Sequence, residues 1–159
     1  MKAWLRLPIL ALLVGSCSGD HEVGSRYRIE RELWKANQEV RRLSLRPDLI
    51  ADSQWREIAG RYERVVAEYG PASQAETSAN ASEISREIRF LIARALINAA
   101  QVYAVVGDSI PMLQTYQRVA AEFDDMQEVA VEVALARGRI AESRQEWATA
   151  AAQYQILLN

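Results

Sequence analysis

From Arg26 onward the apolar positions recur at spacings of three and four, and no stretch sustains the two-residue alternation of a half-buried strand. Ile29, Leu33, Ala36, Val40 and Leu43 form one stripe, which predicts a first helix over about residues 25–45 that ends at Arg46-Pro47. A second helix, over about 53–69, follows a cap at Asp52 or Ser53 and lines up Trp55, Ile58, Ala59, Tyr62, Val65, Val66 and Tyr69 before Gly70-Pro71 stops it. Residues 72–81 are polar and small, and read as a linker. The longest helix, over about 82–106, carries Ile84, Ile88, Leu91, Ile92, Ala95, Leu96, Ala99, Val102, Tyr103 and Val106 on its apolar side. Phe90 and Ile97 widen that side, so burial on more than one face is expected. Gly107 supplies a stop, Asp108 or Ser109 a new cap, and Pro111 falls in the first turn of a fourth helix bearing Leu113, Tyr116, Val119, Ala120 and Phe123. Asp124 or Asp125 is the expected cap of a fifth helix, over about 126–142. Ser143 with Glu146 makes a capping-box pattern ahead of a sixth. The expected fold is therefore all-α, built from antiparallel helix pairs.

A different pattern precedes the helices. Lys2 and Arg6 flank a short apolar run, Leu7 to Val14, followed by small Gly15 and Ser16 and then Cys17, the only cysteine in the chain. This arrangement resembles the lipobox of bacterial lipoproteins. The resemblance implies a cleaved signal peptide at residues 1–16, a lipidated Cys17 opening a linker over 17–25, and a helical domain over 26–159. A spanning helix needs about 20 apolar residues, and Pro8 and Ser16 bound this run well short of that. An ordinary secretory signal with an incidental cysteine is the open alternative. Ser18 stands where, in enterobacterial lipoproteins, an aspartate would favour the inner membrane. The resemblance thus points to the cell envelope, at the periplasmic face of the outer membrane. His21, the single histidine, lies in the expected linker and leaves little for metal binding or imidazole catalysis.

Recurrence organises the helical part. Tyr116 and Tyr154 stand 38 residues apart at the same helix position, and aligning them pairs Ala100 with Gly138, Met112 with Ala150, and Val119-Ala120 with Leu157-Leu158. Tyr62, Val66, Tyr69 and Gly70 give a third copy of the second helix. These residues resemble the tetratricopeptide repeat, in which small residues let two antiparallel helices approach and an aromatic fills their junction. Leu96, Ala99, Ala100, Tyr103, Gly107, Met112 and Tyr116 match the family pattern best; Ala134, Arg137, Gly138, Ala141, Gln145, Ala150 and Tyr154 form a looser copy. The first copy is expected to lack a normal first helix, because Pro47 interrupts its end. The combination is similar to periplasmic lipoproteins of outer-membrane β-barrel assembly and of Tol-Pal-associated division. That resemblance implies a short α-solenoid whose first helices hold a protein or peptide. Its groove positions map onto Arg94, Ile97, Asn98 and Gln101, and onto Glu132, Leu135 and Arg139. An Arg-Asn-Gln set could hold a peptide carboxylate or backbone; the same residues also read as a solvated helix face. On the first reading, removing Asn98 and Gln101 together weakens capture without unfolding.

Composition narrows the partners. Without residues 1–16 the chain keeps 17 basic against 21 acidic side chains, a net charge near −4, which argues against a nucleic-acid partner. The charge is uneven: residues 25–47 hold seven basic and three acidic side chains, and residues 120–146 hold seven acidic and three basic. Arg26, Arg28, Arg31, Lys35, Arg41 and Arg42 could lie against anionic headgroups, or form a solvated face laced with Glu30, Glu32 and Glu39. No Gly-x-Gly-x-x-Gly, P-loop, His-Glu-x-x-His or Gly-x-Ser-x-Gly occurs. The expectation is a non-enzymatic scaffold with no cofactor, metal or small-molecule substrate. A structural or oligomeric envelope subunit is the alternative. The last helix stops at Leu157-Leu158-Asn159 without a polar capping helix. That end fits a fragment whose activity lies downstream, or an apolar end that docks on a partner.

Overall fold

The computed structural model describes residues 18–46, 49–74 and 83–158. The proposed signal segment, Cys17 and Pro47 lie outside them. Six α-helices follow one another, with no strand among the described residues: α1 (Ser18–Ser44), α2 (Asp52–Gln74), α3 (Glu83–Val105), α4 (Ser109–Glu122), α5 (Gln127–Ser143) and α6 (Trp147–Gln155), then a 3₁₀ turn at Ile156–Leu158.

The core forms around α3, which packs against α1, α2, α4 and α5. Its stretch Ser85–Val105 is long and apolar enough to cross a membrane, but 56 % of that window is buried inside the fold, as suits the central helix of a packed domain. Ile92, Ala93, Ala95, Leu96, Ile97, Ala99 and Ala100 are all buried. Around them sit Ile29, Leu33 and Ala36 from α1, Trp55, Ile58, Tyr62 and Val66 from α2, and Tyr116, Val119, Phe123, Met126 and Val129 beyond α3.

Paired side chains fix the helix directions. Arg26 meets Glu87 at 2.6 Å and Asn98 meets Asn37 at 3.3 Å; both pairs are separated by 61 residues, so α1 and α3 run in parallel. Arg94 meets Glu132 at 3.4 Å, 38 residues on, and Arg86 meets Glu128 at 2.8 Å, so α5 continues the same direction. α2 runs opposite to α3, since Glu63 pairs with Tyr103 while Arg56 pairs with Asp108.

The turns repeat as closely as the helices. At the end of α3, Gly107 N–H donates to Ala104 O (3.2 Å) and Asp108 N–H to Tyr103 O (2.9 Å); at the end of α5, Gln145 donates to Glu142 O (2.9 Å) and Glu146 to Ala141 O (2.9 Å). The next helix then opens with Met112 to Asp108 O in one case and Ala150 to Glu146 O in the other. Each bond recurs at an offset of 38. Both turns need one left-handed residue, Gly107 at φ 76° and Gln145 at φ 61°.

Five boundary expectations change. The stretch read as a linker after Cys17 is helical from Ser18 onward. Gly70-Pro71 does not stop α2, which continues to Gln74; a proline there removes only one amide donor near the helix end. α2 begins at Asp52, and Gln54 Oε1 accepts the Ala51 amide at 3.2 Å in place of an Asp or Ser cap. Met126, buried at 1 % exposure, rather than Asp124 or Asp125, holds the N-cap of α5. Ser143 forms no capping box: it ends α5 and donates to Ile140 O at 2.7 Å.

Candidate functional site

Where α1, α3 and α5 run side by side, α3 and α5 present all but one of the groove residues singled out in the sequence. On α3 the positions reaching this surface follow a helical stripe: Glu87, Phe90, Arg94, Asn98 and Gln101 are at least partly exposed. The structure sorts the seven groove residues into three kinds.

Ile97 is a core residue at 2 % exposure, which removes it as a contact for a partner. Its place on the edge of the apolar stripe, beside Ala93 and Ala100, accounts for this. Asn98 is already engaged. Its Nδ2 donates to Asn37 Oδ1 at 3.3 Å, and the same oxygen accepts Tyr62 Oη at 2.6 Å. Tyr62 is 1 % exposed, and burial pushes its phenol up to about 12. This network ties α1, α2 and α3 together, so removing Asn98 acts on the joint between helices as well as on the surface.

Arg94 and Glu132 pair with each other, and the Arg94 guanidinium sits 5.7 Å from the Phe90 ring centroid. A half-exposed pair of this kind contributes little to stability and can open to an incoming charge. Gln101, Leu135 and Arg139 form the third kind. Leu135 is partly exposed, Arg139 is exposed, and neither Gln101 nor Arg139 makes a side-chain hydrogen bond or ion pair among the described residues. Since Arg94 and Glu132 touch at an offset of 38, Gln101 and Arg139, at the same offset two turns on, share one register of the α3–α5 surface.

Below this surface an ion-pair clamp was missed in the sequence. Arg89 is 7 % exposed and donates from Nη1 and Nη2 to Asp125 at 2.7 and 2.8 Å, and from Nη2 to Glu122 O at 3.3 Å. Its guanidinium lies 5.7 Å from the Phe123 centroid. The Arg89 hydrogen bonds hold the Asp125 carboxyl below its ordinary range. Asp125 was assigned to a helix cap because carboxylates favour helix N-termini, yet a buried guanidinium is the stronger claim on it. Asp108 behaves alike: it stands at the N-cap of α4 with no side-chain cap bond, and its carboxylate takes both a 2.8 and a 3.1 Å bond from Arg56. Asn37 was also missed. Its signal was a polar residue between Leu33, Ala36 and Val40, where a helix edge meets its neighbour.

Among the described residues, concavities also lie against α5 and α6. One, of about 210 Å³, lies between α4, α5 and α6 and is lined by Val119, Phe123, Val133 and Ile156 among others. The other, of about 130 Å³, is bordered by Tyr116, whose buried hydroxyl has no hydrogen-bond partner among the described residues and whose phenol is raised by burial. Among the described residues no three His, Cys, Asp or Glu side chains gather as metal ligands. No family model, no curated protein and no solved structure matches this chain.

Proposed function

We propose that this chain is a protein-interaction scaffold of the bacterial cell envelope, tethered through Cys17 to the periplasmic face of the outer membrane and built from stacked, tetratricopeptide-like helix pairs. The observation that carries the reading is the 38-residue recurrence of turn and helix-opening hydrogen bonds, combined with odd-numbered helices that run in parallel. Stacked pairs of this kind leave a ridge of first helices free to take an extended segment. α1 serves as the first helix of the first pair, packing on α2 and α3. The junction chemistry supports the same reading. Gly138 faces the Tyr154 ring so closely that a Cβ would lie 2.6 Å from Cζ, as expected where a small residue admits an aromatic from the partner helix.

Gln101, Leu135 and Arg139 are the contact residues, with Arg94 and Glu132 as an ion pair that a charged partner opens. Gln101 offers amide donors and an acceptor, Arg139 a planar cation, and Leu135 an apolar step. The test is site-specific photocrosslinking in a bacterial envelope, with the reactive group at 101 or 139 and a control at exposed Gln114 on α4. A defined heterologous protein captured from 101 and 139, and not from 114, supports the scaffold. Products containing only this chain would favour an oligomeric spacer and overturn it. The tether is checked separately by radiolabelled palmitate, which the parent should incorporate and the Cys17→Ala variant should not.

A further inference from the structure

We propose that the outer face of α1 is a docking surface for an anionic lipid bilayer. Among the described residues α1 packs chiefly on α2 and α3, and one side of this helix has no partner helix among them. Positions 27, 31, 34, 38, 41 and 45 share that side on a 3.6-residue helix. They read Tyr, Arg, Trp, Gln, Arg and Leu. Tyr27 is 64 % exposed, Trp34 62 % and Leu45 81 %, an unusual display of large apolar groups for one helix side.

Charge decides what covers it. No acidic residue occurs at those six positions or on the flank made by 28, 35 and 42; Glu30 lies on the opposite flank, where it pairs with Arg26, and Glu32 and Glu39 fall toward the packed side. Of the six cations read from the sequence, Arg26 turns toward α3 and pairs with Glu87 and Glu30. Lys35 pairs with Glu32, and Arg42 lies 3.8 Å from Glu39. Arg28, Arg31 and Arg41 are exposed and form no ion pair among the described residues. A cationic stripe alternating with tryptophan and tyrosine is the chemistry of the membrane–water boundary. There the amphipathic rings sit at headgroup depth and guanidinium groups meet lipid phosphates. The shape agrees, because a single convex helix offers a line of contact to a plane and no pocket for a peptide. The rest of the chain is net acidic, which would repel the same bilayer and so orient α1 toward it.

This surface is independent of the scaffold reading, and its test uses a different readout. The mature chain from residue 18 onward, which carries neither an acyl group nor the apolar segment with Trp4, is titrated with neutral phosphatidylcholine vesicles and with vesicles containing phosphatidylglycerol. Anionic vesicles should bind more tightly, with a loss on adding salt, and a blue shift of tryptophan emission that Trp34→Phe removes. Adding Arg31→Glu and Arg41→Glu should lower the anionic preference by roughly tenfold or more. Arg64→Glu with Arg144→Glu, an equal charge change at exposed sites elsewhere, should leave it nearly intact. Equal binding by the Arg31/Arg41 variant, with unchanged circular dichroism, overturns the proposal. So does a Trp34 emission that ignores vesicles, or an Arg31/Arg41-dependent capture of an acidic protein with no vesicle preference.

Discussion

At the scale of single residues, the two left-handed turn positions and one close approach make the sharpest claims. Gln145 occupies the same turn as Gly107, with a side chain in a backbone region that costs L-residues about 1–2 kcal/mol. Glycine there adds unfolded-chain entropy worth about 0.5–1 kcal/mol, so Gln145→Gly should raise stability by up to about 1 kcal/mol in thermal unfolding. Gly107→Ala should lower it by about 1 kcal/mol, purely through backbone strain, because a Cβ at 107 meets nothing within 4 Å. Gly138 is the opposite case: its backbone is helical and the obstacle is the Tyr154 ring. Gly138→Ala should cost about 1–3 kcal/mol by overpacking. In a urea double-mutant cycle, Tyr154→Ala should remove most of that extra cost. Additive costs would show that the ring simply moves aside.

Among whole elements, the clamp between α3 and the α4–α5 turn links sequence to packing. Arg89 is nearly buried while Asp125 remains half exposed, with 54 % of its side chain accessible. Removing the carboxylate leaves the guanidinium inside with fewer acceptors. Asp125→Ala should therefore destabilise by about 1–3 kcal/mol, below the value for a fully buried pair because one end is solvated. The pH dependence has a definite sign. Arg89 depresses the Asp125 carboxyl in the folded state, so this contribution is present above the ordinary value of 3.8 and is lost as pH falls below it. Asp125→Asn should flatten the stability profile in that acid range and leave the slope near neutrality unchanged. The network of Tyr62, Asn37 and Asn98 gives the parallel test for α1. Asn37→Leu leaves the Tyr62 hydroxyl buried without its acceptor, and should cost about 1–3 kcal/mol by urea denaturation. Six helices, their order and their apolar faces were all legible from the three-and-four spacing, and the Gly107 turn from its glycine. The partners of the cap carboxylates were not: Asp108 stands at the N-cap of α4 as expected, yet it and Asp125 bond Arg56 and Arg89, which lie 52 and 36 residues away. The same blindness to distant partners hid the Asn37 bond to Asn98, whereas Ile97 was already read as widening the apolar side and stood in the groove only by the resemblance.

For the molecule as a whole, the arrangement predicts an uneven distribution of stability. α3 touches four other helices, whereas α6 packs mainly on α5. Within α6 only Ala150 is buried, and Trp147 is 66 % exposed. The apolar cleft of about 210 Å³ between α4, α5 and α6 shows that this last helix is seated without filling its neighbourhood. A helix with few buried contacts opens before one packed on several neighbours. Amide hydrogen exchange should therefore find α6 protected least, α5 next, and the centre of α3 exchanging only through global unfolding. A partner seated on Gln101, Leu135 and Arg139 would bridge α3 and α5, and should slow exchange in α5 more than in α6. A bilayer on the outer face of α1 touches neither α5 nor α6, so anionic vesicles should slow exchange in α1 and leave α6 unchanged. Finding α6 as protected as α3 in the free protein would mean that the helices fold as one inseparable unit, and the stacked-pair description of this chain would fail.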